Sequence, residues 1–171
     1  MLKNIKILYH KKVEESARRI VRDTINKTFA LNISEADLGI DITFAYNRPR
    51  EQYNAEEILY KTLNHYKERP ILVIVPFDIY VPGLNFVFGL AIYGSGAIIG
   101  LERFRYGDNF KKRLEKTVKH ELGHVFGLRH CNKPCVMRFA NSLWELDVKP
   151  EDFCPACAAR LRGMGILKAK K

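Results

Sequence analysis

Residues 120–131 read His-Glu-Leu-Gly-His-Val-Phe-Gly-Leu-Arg-His-Cys, and they constrain the surrounding fold more than any other stretch. His120 and His124 stand four apart, so a helix presents both imidazoles on one face, one turn above the other. Two ring nitrogens placed that way can grip one zinc ion, with Glu121 beside the metal but not needed as a ligand. Gly127 can adopt the backbone that ends a helix and turns the chain. That turn swings His130 back as a third ligand. Three histidines leave one tetrahedral position open for water, which separates catalytic from structural zinc.

The cysteines form a second pattern. All four fall in the last quarter of the chain, as Cys131, Cys135, Cys154 and Cys157. Two close pairs of thiols in an intracellular chain point to metal more than to disulfides. Four thiolates with no vacant position make a structural zinc site. Disulfides and redox chemistry at Cys154-Pro155-Ala156-Cys157 are the alternatives. The second lacks a thioredoxin-like setting.

Periodicity sketches the rest. Ile5, Ile7 and Tyr9 alternate with polar residues, giving a strand near 4–9, and helical spacing from Val13 to Phe29 gives a helix near 11–30. Alternation of Ile40, Ile42, Phe44 and Tyr46 predicts a strand over 39–46. Asn54 with Glu57 resembles a capping box opening a helix near 54–68. The apolar run 71–75 reads as a buried strand. Strands near 85–93 and 96–103 flank the Gly94-Ser95-Gly96 turn. A helix begins near Asn109, and a short one covers about 151–163. Strands alternating with helices predict an α/β layered domain with a mixed sheet. The division is a catalytic part over 1–130 and a small C-terminal subdomain over 131–171, in one compact domain.

At 171 residues, with 47% hydrophobic residues, the chain can bury a core. Its net charge of +10 sits partly at the ends, on Lys3, Lys6, Lys11, Lys12, Lys168, Lys170 and Lys171. A solvated basic surface explains this better than nucleic-acid binding, since no basic and aromatic module is present. No secretory signal is read at the start, so a cytoplasmic protein is expected. The uncharged stretch 79–99 is broken by Pro82, Gly83, Asn85, Gly89, Gly94, Ser95 and Gly96, and reads as a hairpin rather than a membrane span.

The histidine pattern permits amide hydrolysis. Zinc there would acidify water and polarise a carbonyl, while Glu121 takes the proton of the attacking water and passes it to the leaving amine. His10 and His65 have no partner in this pattern and read as surface or packing residues.

His-Glu-x-x-His-x-x-Gly-x-x-His resembles the signature of the metzincin zinc metallopeptidases. Met137 stands where that group carries a methionine turn below its zinc ligands. The cysteines narrow the resemblance to the archaemetzincins, in which four cysteines hold a second zinc. The resemblance is specific over about 118–160. The interval from Cys131 to Cys135 is one residue tighter than the family spacing. The resemblance implies a metzincin-like, mostly parallel mixed sheet with an antiparallel edge strand above a cleft, an active-site helix and a zinc-braced C-terminal part. The edge strand, here Asn85 to Tyr93, would bind a peptide by strand addition. Some metzincins use a tyrosine after the methionine as a further ligand; here Arg138 and Phe139 follow.

The expected activity is therefore zinc-dependent peptide hydrolysis with two zinc ions per chain, in the form, for instance, of an aminopeptidase on small peptides. The expected state is a monomer free of membrane and nucleic acid. The alternative is a zinc-stabilised module that binds peptide or nucleic acid without turnover.

Overall fold

Five strands form the central sheet of the computed structural model, which describes residues 3–169. Met1, Leu2, Lys170 and Lys171, part of the sequence reading of the two ends, lie outside the described residues. The strands are β1 (Lys3–Tyr9), β2 (Leu31–Asp37), β5 (Ile71–Val75), β7 (Gly89–Ile92) and β8 (Gly96–Gly100), in the order β2-β1-β5-β8-β7. All pairings are parallel except the hairpin of β7 with β8, so the sheet is mostly parallel with an antiparallel edge strand. A small second sheet joins β3 (Tyr46–Asn47), β4 (Gln52–Asn54) and β6 (Ile79–Tyr80).

The pleat sorts the apolar residues between two layers. Ile5, Ile7, Tyr9, Leu72, Ile74, Ala97 and Ile99 face helices α1 (Glu15–Thr28) and α3 (Phe110–Val125). Leu8, Ile71, Val73, Val75 and Ile98 face α2 (Ala55–His65) and the segment 38–45. Every residue of β5 is buried, as a central parallel strand covered on both faces requires. Two further helices, α4 (Leu143–Val148) and α5 (Pro155–Gly163), follow α3. Their residues Leu146 and Leu161, with Val136, Met137 and Phe153, join the core that contains α1 and α3.

The strand predicted over 39–46 is not there. Asp41 Oδ1 accepts hydrogen bonds from the amide and hydroxyl of Thr43, both at 2.8 Å, and folds 43–45 into a 3-10 turn. Of the alternating residues, Ile42, and with it Ala45, instead covers the α2 face of the sheet, while Phe44 and Tyr46 are exposed. The true strand, β2, carries little hydrophobic signal because it is an outer strand with mostly exposed side chains. Ion pairs fasten it to α1: Arg22 to Glu35 at 2.7 Å and Arg18 to Asp37 at 2.8 Å. The hairpin strands are shorter than predicted, and the last helix starts later, with Pro155 in its first turn. Asn54 does cap α2, accepting from the Glu57 amide at 3.1 Å. No helix among the described residues is long and apolar enough to cross a membrane.

Candidate active site

Helix α3 runs beneath β7 and presents His120, Glu121 and His124 near its C-terminal end. Gly127 follows at φ 101°, a left-handed conformation that suits glycine. Its amide donates to the His124 carbonyl at 3.0 Å, and the Leu128 amide donates to Gly123 at 2.9 Å. These bonds close the helix and reverse the chain, so His130 comes back over His124. The ring centroids lie 4.7 Å apart for His124–His130 and 5.3 Å apart for His120–His130.

Two carbonyls orient the rings. His120 Nδ1 donates to Val136 O and His124 Nδ1 donates to Leu128 O, each at 2.8 Å. A carbonyl can only accept, so both rings carry their proton on Nδ1 and leave Nε2 as a free lone pair. The two Nε2 atoms face each other at 3.1 Å. Two lone pairs at that distance call for a cation between them. Zn–N bonds of about 2.1 Å put tetrahedral nitrogens about 3.4 Å apart. One ligand atom from each of the three histidines lies within 4.8 Å of the others. Burial, helped by Lys149, pushes His120 down to about 2, and burial lowers His124 and His130 too, so all three remain neutral donors. The residues therefore fit zinc.

Glu121 is 6% exposed, and burial pushes its carboxyl up to about 8 against the pull of Lys149. It points at the edge strand. A Cβ added at Gly89 would stand 2.8 Å from Glu121 Cγ, so the absence of a side chain lets β7 pass directly over the carboxyl. Gly123 has the matching role below: a Cβ there would collide with the sulfur of the fully buried Met137. Phe139 rests against the His130 ring at 5.2 Å, where it offers no oxygen.

The four cysteines also converge. Their sulfurs lie within 4.8 Å of one another and form no disulfide. Cys131 and Cys154 are 3.8 Å apart, the edge of a tetrahedron with Zn–S bonds of about 2.3 Å. Amides of Met137 and Cys154 donate to Cys135 Sγ at 3.4 and 3.2 Å. Burial pushes the Cys154 thiol up, but hydrogen bonds from Cys157 and the neighbouring thiols outweigh it and hold it at about 7. This donor set fits a closed zinc site, and the tight Cys131–Cys135 interval does not prevent it.

A model of Peptidase family M54 matches residues 4–163. The chain belongs to this family, the archaemetzincins. The archaemetzincin of Nanoarchaeum equitans is 39% identical over 159 residues, covering 93% of this chain and 91% of the relative. The crystal structure of the Archaeoglobus fulgidus archaemetzincin superposes with a TM-score of 0.83 at 33% identity, covering 92% of this chain and 99% of that one. That of Methanopyrus kandleri gives 0.83 at 30% identity, covering 95% and 96%. As an archaemetzincin the chain is a zinc metallopeptidase that acts on peptides. Its mixed α/β fold is that of the solved archaemetzincins.

Sequence reasoning missed three parts of the site. Lys149 is 7% exposed in the cleft wall, donates to Arg138 O at 3.1 Å and stands 3.2 Å from His120 Nδ1. Burial lowers it to about 8. Nothing in its local sequence marks it. Gly89 and Gly123 act through close approaches that only three dimensions reveal. Helix α4, which places Lys149 at its end, was also missed, although Ser142 and Glu145 have the capping-box spacing that signals it; Ser142 Oγ accepts from the Glu145 amide at 3.1 Å. His10 and His65 make ring contacts with Phe77 and Tyr66 instead.

Proposed function

We propose that His120, His124 and His130 hold the catalytic zinc of this peptidase, and that Glu121 is its general base and acid. The observation that carries this is the convergence of three imidazoles with one buried carboxyl in a single cleft beneath the outermost strand of the sheet. When bound, zinc supplies Lewis acidity, acidifying water and polarising the scissile carbonyl. Glu121 Oε accepts a proton from the attacking water and hands it to the nitrogen of the departing amine. The carbonyls of Val136 and Leu128 fix the tautomers of His120 and His124 throughout.

The free edge of β7 offers backbone hydrogen bonds to an extended peptide. The cleft, of about 1110 Å3, has room for several peptide residues. We assign Cys131, Cys135, Cys154 and Cys157 to a structural zinc that braces a C-terminal subdomain, residues 131–171, against the catalytic part, residues 1–130. Gly127 then serves as the turn and Met137 as the methionine support beneath the histidines. We further propose a cytoplasmic monomer, acting on small peptides in the manner of an aminopeptidase, with nucleic acid no part of its function.

Digestion of a peptide library by zinc-loaded protein, with and without a chelator, tests this reading. Chelator-sensitive cleavage supports it, and cuts confined to the first bond of free, but not acetylated, peptides support aminopeptidase action. Absence of cleavage by protein carrying two zinc ions would favour the binding-module alternative.

A further inference from the structure

Lys149 brings a positive charge into the cleft wall that hydrolysis as described above does not use. Its ammonium carries three protons. One goes to the Arg138 carbonyl at 3.1 Å. His120 Nδ1 lies 3.2 Å away, but that nitrogen already donates to Val136 and has no lone pair to offer. Among the described residues no carboxylate forms an ion pair with Lys149; Glu121 acts on it only over a longer distance. Two ammonium protons thus remain for whatever fills the cleft, on a residue that is only 7% exposed. Burying such a group without an anionic partner is costly, and a ligand that brings one is favoured.

The rest of the cleft has the same bias. Arg129 and Arg160 line it as well, while Glu121 is the one carboxylate among its lining residues. Thr117 and Leu146 line the cleft with Lys149, and all three are buried, so the ammonium, 3.2 Å from His120 Nδ1, stands beside the catalytic residues.

Resting on the peptidase reading above, we propose that Lys149 sets specificity: its ammonium receives the carboxylate of an Asp or Glu side chain adjacent to the scissile bond, so acidic peptides are the preferred substrate class. Lys149 touches the substrate's side chain and takes no part in proton transfer.

Matched peptides differing only by Glu or Gln on either side of the cleaved bond provide the test. The wild-type protein is expected to favour Glu by about tenfold or more in kcat/KM, carried mainly by KM. Lys149→Gln, whose amide can still donate to Arg138, should bring the ratio near unity, and Lys149→Arg should restore the preference. Calorimetry on zinc-loaded Glu121→Gln protein should show the same preference in binding, without turnover, and its loss in the Glu121→Gln/Lys149→Gln double variant. A purely structural lysine would lower activity on both peptides equally and leave the ratio intact. Equal treatment of Glu and Gln by the wild type, or a preference that survives Lys149→Gln, overturns the proposal. If neither peptide is cut, the peptidase reading fails, while the binding comparison still decides the role of Lys149.

Discussion

Val136 accepts a hydrogen bond from His120 Nδ1 at 2.8 Å, which ties the histidine cluster to the loop that carries Cys131 and Cys135. Its neighbours extend the link in both directions. Cys135 belongs to the thiol cluster, and Met137 lies under Gly123 between the two helical histidines. The Cys131 amide donates to the Met137 carbonyl at 3.0 Å, closing the loop that also follows His130.

Zinc affinity at the histidines should therefore depend on the cysteines. Cys154→Ser removes one thiolate and loosens the loop that aims His120. Loss of such supporting contacts typically costs about 10–100-fold in metal affinity. Competitive titration with a chromogenic chelator, on protein loaded at the histidine site, measures this. Unchanged affinity would mean that the two sites are independent.

Gly123→Ala places a methyl against Met137 Sδ inside a closed core. Overpacking of this kind costs about 1–3 kcal/mol. Urea denaturation of the zinc-loaded protein should show that loss. Gly163→Ala, where a Cβ meets nothing within 4 Å, serves as the comparison and should not destabilise the protein.

Arg113 grips Asp147 with two bonds of 2.7 and 2.8 Å and so bolts α3 to α4. The guanidinium holds the Asp147 carboxyl below its usual range. A depressed folded pKa adds stability that is fully present above the ordinary value of about 3.9 and is lost as pH falls through the lowered one. Asp147→Asn should thus cost about 1–3 kcal/mol at neutral pH. The gap to wild type should close as the medium is acidified below the carboxylate range. A pH series of denaturation midpoints checks the sign; a gap that widens in acid would contradict it.

What the sequence revealed follows the range of each interaction. His120, Glu121, His124, Gly127 and His130 are legible because helix pitch and one glycine turn fix their geometry locally. The cysteines are legible because thiol pairs have few other uses in such a chain. Strand β2 was misplaced because its identity rests on pairing with β1 and on ion pairs to α1, with only Leu31 buried along it. Lys149 was invisible because its burial comes from contacts with Arg138 and His120, 11 and 29 residues away. Gly89 is separated from Glu121 in the chain and meets it only because β7 crosses α3.

Glu121→Gln tests the central claim most directly. The amide keeps the shape of the side chain but cannot take a proton from water. Metal analysis of the variant should find two zinc ions per chain, as in the wild type, while peptide hydrolysis falls by about 10²–10⁴-fold. A variant that holds both ions and cleaves at the wild-type rate would contradict the assignment of Glu121, and with it the mechanism built on this cleft.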